Sequence, residues 1–266
     1  MNNTYDSKLP TGFVSIDEVM EGFHYGNLVT LAGRPCMRTE YFLYTMMRNW
    51  VQNDMIDEGF VFFSLINKRN DIAKLIGELC NTDSPDAQKW VLEPHYNGIE
   101  LSSLCDKIKR YVWENNKRVF VIDNFNMIEY KPTVDLRCEK HNVAKELLKL
   151  SHELDIIIIV DAILFSYYIE EREGMYAKTP SLSDLGYKGW SGDLDVFSDV
   201  VLGFWSPEKY HIFIDEEGED LRNAVCVEIL KNINDDTSEG RRFTLYKDNR
   251  INRVNVLKDI VSKGRY

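Results

Sequence analysis

Several common features are missing from this chain, and each absence removes a class of function. It has no apolar segment long enough to cross a bilayer: Ile156 to Val160 is far too short, and the N-terminus, MNNTYDSK, has no apolar signal core. It has no surplus of basic charge. The formal net charge of −11 argues against a surface built mainly to neutralise nucleic-acid phosphates, leaving room only for a local basic groove. Cys36, Cys80, Cys105, Cys138 and Cys226 are odd in number and scattered, with neither paired-ligand spacing nor a disulfide framework. His24, His95, His141, His152 and His211 show no spacing suited to a metal or a nucleophile pair. There is no internal repeat, low-complexity tract or interdomain linker. A reduced, cytoplasmic protein without a membrane segment is expected, and 266 residues suit one α/β domain with a substantial core.

What is present is organised around Gly26 to Glu40, GNLVTLAGRPCMRTE. Leu28 to Ala32 is an apolar, β-favouring run. A Gly33-Arg34-Pro35 corner follows it, and Tyr41 to Val51 reads as a helix with a broad apolar face. Strand, tight loop and helix are the layout of a phosphate-binding loop, in which backbone N–H groups and a helix N-terminus face an anion.

Upstream, Pro10 to Gly12 reads as a turn and Ser15 as the cap of a short helix. Downstream, Gly59 to Leu65 is a second buried strand, Asn70 to Asn81 a helix, Thr82 to Gly98 an irregular stretch with two prolines, and Leu101 to Asn116 another helix. Arg118 to Asp123 is a third strand ending in an acid. A helix over Asp135 to Leu154 leads into a fourth strand, DIIIIVD. Such alternation implies right-handed crossovers and a mainly parallel sheet. Leu164 to Asp193 reads as a long polar connection with Tyr167, Tyr168, Tyr176 and Trp190. Short β-like runs at Val200 to Trp205, Tyr210 to Ile214, Val225 to Leu230 and Arg242 to Tyr246 predict an antiparallel extension. The expected organisation is a tail over 1–8, one domain over 9–256 and a tail over 257–266.

The run LPTGFVSIDEVMEGFHYGNLVTLAGRPCM resembles the opening of the RecA-like C-terminal ATPase domain of DnaB-type replicative helicases. The resemblance continues through VFFSL, RVFVIDNFNMIE, LLKLSHELDIIIIV, LSDL, SDVVLGFW and VCVEILKN, in order and over nearly the whole chain. It implies a P-loop NTPase-type fold, a mostly parallel sheet flanked by helices with antiparallel C-terminal strands, and a setting in DNA replication. That family's separate N-terminal helical domain is expected to be missing, and monomer, dimer and ring all stay open.

The family's loop would read Arg-Pro-Ser-Met-Gly-Lys-Thr, with lysine on the ATP phosphates and threonine on magnesium. Placed without gaps, the last five positions here are Cys36, Met37, Arg38, Thr39 and Glu40. The lysine is then a threonine, and the hydroxyl that should meet magnesium is a carboxylate. A gapped placement, opening at Gly33, lets Arg38-Thr39 stand in for lysine-threonine at the cost of a glycine. By the same resemblance, the glutamate that orients water is Ile66, the glutamine that senses the γ-phosphate is Ala162, and the arginine that reaches the neighbouring subunit is Ile233, with Lys231 kept. Only Asp123 keeps its implied role on the magnesium side, and Asn67 is a weak substitute base.

The leading expectation is therefore a catalytically degenerate domain that binds or scaffolds, through a protein partner or self-association, with a vestigial loop of Gly33, Arg34, Cys36, Arg38, Thr39 and Glu40. Two alternatives stand beside it. One is an ATP-dependent DNA helicase or nucleotide-regulated switch working through Arg38-Thr39 with ATP and magnesium. The other is a single-stranded nucleic-acid-binding module without ATPase activity, its tyrosines stacking on bases, although Glu170, Glu171 and Glu173 outnumber Arg172 and Lys178 there. Asp215, Glu216, Glu217, Glu219 and Asp220 read as a solvated hairpin tip around Gly218.

Overall fold

The structure, a computed structural model, describes residues 8–66, 90–130, 136–164, 179–186, 193–215, 217–248 and 257–259. Its first half runs through Lys8–Leu9 (β1), Val14–Met20 (α1), Phe23–His24 (β2), Leu28–Gly33 (β3), Thr39–Gln52 (α2), Phe60–Ser64 (β4), Trp90–Pro94 (β5), Ile99–Glu100 (β6) and Leu101–Asn115 (α3). Then come Val119–Asp123 (β7), Ile128–Glu129 (β8), Leu136–Leu154 (α4) and Ile157–Ile163 (β9). Leu182–Leu185 (α5), Leu194–Phe197 (α6), Val200–Trp205 (β10), Ala224–Asn232 (β11), Arg242–Lys247 (β12) and Leu257–Asp259 (β13) complete it.

One nine-stranded sheet carries the fold, in the order β13-β12-β11-β10-β3-β9-β7-β4-β5. The strands from β10 to β5 run parallel, while β11, β12 and β13 add on antiparallel. The parallel strands are apolar at successive positions because both faces are covered. Val29, Leu31, Phe60, Phe62, Ile157 and Ile159 face a core shared with α1 and α2. Their sequence neighbours, among them Leu28, Val61, Phe63, Ile158 and Val160, face the core under α3 and α4. Phe42 of α2 stacks on Phe13 at 4.6 Å between centroids, and the Trp50 indole N–H donates to Pro10 O at 2.7 Å. These contacts fix the pitch of α2, and so the position of the loop at its start.

Four local expectations are corrected. Ser15 does not cap α1. The helix starts after Phe13 without a side-chain cap bond, and the Asp17 carboxylate instead accepts the N–H groups of Thr11 and Gly12 at 2.7 and 2.9 Å. Within the supposedly irregular stretch, Trp90–Pro94 is a strand; it is the sheet's edge, where a terminal proline costs no ladder bond. The run Tyr210 to Ile214 is not a strand. Pro207 starts a 3-10 turn through Tyr210, and Ile214 makes only a single bridge to Asp220. Leu257–Asp259, assigned to a tail, forms the outer strand of the sheet. The helix expected over 70–81 and the tyrosine-rich segment over 165–178 lie outside the described residues, as do Asn67, Trp190 and Glu216.

Candidate functional site

Parallel strands leave their C-terminal ends at one edge of the sheet, and the loops there collect chemistry from distant parts of the chain. At this edge β3 ends in Gly33, the loop Arg34 to Arg38 turns, and α2 starts at Thr39. The Met37 N–H donates to Arg34 O at 3.1 Å, closing the turn. Cys36 and Arg38 take φ of 68° and 66°, the left-handed region that glycine adopts without strain. Arg38 is the position where the helicase resemblance, placed without gaps, expects glycine.

The loop is filled by its own side chains. A Cβ added at Gly33 would collide with the Thr39 hydroxyl, so Thr39 lies folded against the start of the loop and is itself buried. Met37 is buried, and its sulfur accepts the Ser206 N–H at 3.3 Å. Cys36 is exposed.

The two arginines turn toward carboxylates from other loops of the same edge. Arg38 Nη2 donates to Glu208 Oε2 at 2.8 Å, and Glu208 belongs to the 3-10 turn after β10. Arg34 Nη2 lies 3.8 Å from Asp184 Oδ1 of α5, whose other oxygen accepts the Ser181 N–H. Arg34 also stands near Tyr210: burial pushes that phenol up, and the arginine's charge opposes the rise. Among the described residues the buried Arg34 Nε and Arg38 Nη1 have no acceptor.

Beneath the start of α2 the charge is negative. Asp123, the last residue of β7, and Asp161, inside β9, are register partners, in phase with the Val119, Val121, Ile157 and Ile159 that face α2. Burial, and then the nearby charges of Asp123 and Glu40, push the Asp161 carboxyl well above the usual carboxylate range. Asp161, only 7 % exposed, was not singled out by sequence. Its signal was an acid in phase with Asp123 inside an otherwise apolar strand. Glu208 and Asp184 left no such signal, because their role depends on loops meeting across the sheet edge. Among the described residues no group of His, Cys, Asp or Glu is disposed to hold a metal ion.

The remaining positions do not converge on the loop. Ile66, beyond β4, is 45 % exposed and offers no polar group. Ala162 is buried on the opposite face of the sheet, against the α3 and α4 core. Ile233 is exposed, and its N–H donates to Asp199 O at 3.0 Å. Lys231 donates to the carbonyls of Asp195 and Val196 at 3.0 and 3.2 Å, binding α6.

Known proteins share this design. Residues 8–95 match the family described as the DnaB-like helicase C terminal domain. The replicative DNA helicase DnaB of Rickettsia bellii is 23% identical over 295 residues, taking in 99% of this chain and 55% of that protein. The corresponding helicase of Helicobacter pylori is 24% identical over 282 residues, 97% of this chain and 55% of its own length. The chain thus spans about half the length of the curated relatives it matches. A solved ATPase domain superposes with a TM-score of 0.73 at 20% identity, over 97% of this chain and 94% of its own. The structure of a DnaB-like replicative helicase, solved with its interactions with primase, gives 0.75 at 20% identity, over 95% and 62%. No helix among the described residues is long and apolar enough to cross a membrane. The chain has the RecA-like fold of these ATPase domains, and over residues 8–95 it is similar to the DnaB-like helicase C terminal domain.

Proposed function

We propose that this domain keeps the helicase fold as a binding or scaffolding module and does not hydrolyse ATP. The observation that carries the reading is the start of α2. Thr39 packs against Gly33 where the family resemblance calls for lysine, and Glu40 adds its charge to the Asp123 and Asp161 pair where it calls for a magnesium-binding hydroxyl. A magnesium–triphosphate does not fit these residues. No side chain in the loop supplies the missing ammonium, both arginines already face carboxylates, and the acids below would repel phosphate oxygens. Ile66, Ala162 and Ile233 add no base, sensor or finger. The loss of an arginine finger alone is worth roughly 10³ to 10⁵ in rate in NTPases that use one. The module is taken to be one domain that includes the strands at both ends, Lys8–Leu9 and Leu257–Asp259, acting in the cytoplasm in a replication setting. It would engage a protein partner or further copies of itself, as the solved helicase engages primase.

Isothermal titration calorimetry with ATP and ADP, each with magnesium, tests this. The expected result is no binding by the native protein and a gain on Glu40→Ala. Micromolar binding by the native protein would overturn the reading. It would favour the switch or helicase working through Arg38-Thr39, which the acceptor-free Arg38 Nη1 supports.

A further inference from the structure

Arg38 does not wait in solvent for a ligand. We infer that Glu208 is an internal anion that holds Arg38 shut: an autoinhibitory contact whose release would turn the loop into a site for a small oxyanion of the phosphate class. The inference rests on the reading that the native loop takes no nucleotide, and it says what keeps small anions out as well.

The geometry supports a latch rather than a casual surface pair. The Arg38 side chain is only 15 % exposed, and its Nη2 meets Glu208 Oε2 at 2.8 Å. The guanidinium is charged at every accessible pH and has five donors, so one carboxylate oxygen leaves most of its capacity unused. Among the described residues Nη1 is buried without an acceptor, and so is Nε of Arg34 on the same loop. Orphaned, desolvated N–H groups are destabilising, a cost that an incoming oxyanion would relieve. Arg38 lies over the Tyr41 ring at 5.8 Å, which limits where the guanidinium can swing. Arg34 is held more loosely, 3.8 Å from Asp184, and is near Tyr210 on the turn that carries Glu208. One 3-10 turn, Pro207–Tyr210, therefore sits across both arginines. Replacing the carboxylate of Glu208 by an amide removes one negative charge and frees a cation at the same point, so the local balance shifts by one unit toward binding an anion.

The test is calorimetric titration of the whole chain with inorganic phosphate and, separately, pyrophosphate. Four proteins are compared: native, Glu208→Gln, Glu208→Asp and the double variant Glu208→Gln/Arg38→Gln. Glu208→Gln is expected to bind phosphate at least tenfold more tightly than the native protein. Glu208→Asp, which keeps the charge, should stay close to native, and the double variant should lose the gain. Thermal melts confirm folding, and Glu208→Ala serves as a second release variant. A release variant that folds but binds phosphate no better than native overturns the latch, as does a gain that survives Arg38→Gln. Tight ATP binding by the native chain would sink the non-nucleotide reading, whereas the latch is judged only by the ratio between native and release variants for phosphate.

Discussion

Burial among other acids disfavours the charged form of Asp161 at the heart of the site, and its titration reports that cost. Its folded carboxyl lies above the unfolded value because of burial, Asp123 and Glu40. Over the interval from the ordinary carboxylate range up to the raised value, the native state holds the proton that the unfolded chain has lost. Stability therefore falls as pH rises through that window and levels off above it. Asp161→Asn should abolish the fall and melt higher at neutral pH by a few degrees, since about 1 kcal/mol moves a chain of this size by about 2–4 °C. A melting series across pH checks both. Glu93 behaves in the opposite sense. Burial would raise its carboxyl, but hydrogen bonds from Tyr111, Lys107 and His95 outweigh this and hold it below the usual range. Its stabilisation is complete above the unfolded pKa and disappears as pH falls through the folded one. Glu93→Gln should lose about 1–3 kcal/mol at neutral pH, with the difference from native shrinking in acid. Denaturant titrations at the two pH extremes measure it.

At the scale of elements, β13 has more influence than its three residues suggest. The Leu257 N–H donates to Thr45 Oγ1 of α2 at 2.9 Å, and Asp259 Oδ2 accepts the Ser15 N–H of α1 at 2.6 Å. Leu257 is buried in the core that positions both helices. Leu257→Ala should therefore cost about 2–3 kcal/mol, within the range for buried leucine truncations, and chemical denaturation will show it. This strand was illegible in the sequence because a short edge segment has no room for periodicity; its evidence is tertiary. The long buried strands were legible, since a face-to-face covered sheet writes itself as uninterrupted Val, Ile, Leu and Phe, as in Phe60–Ser64. The loop composition was legible too, down to Arg38 and Glu40. The partners of its arginines were not, because Glu208 lies 170 residues away and faces Arg38 only once β10 is seated beside β3.

For the whole molecule, the net charge of −11 sets an expectation for nucleic acid. Fluorescence anisotropy with a single-stranded oligonucleotide should give a dissociation constant weaker than about 10⁻⁴ M at physiological salt, the weak end of non-specific binding. Tighter binding that falls steeply with salt would revive the nucleic-acid alternative. The order of the sheet also bears on how the protein is made. Central β3 pairs with β9 and β10, so Val29 meets Ile159 on one side and Val200 on the other. Of the nine strands β3 leaves the ribosome first, but its two neighbours β9 and β10 follow only after β4, β5 and β7. At ordinary synthesis rates the wait for β10 is on the order of ten to thirty seconds, and throughout it the β10-facing edge of β3 stays unpaired and open to chaperones or to nascent neighbours.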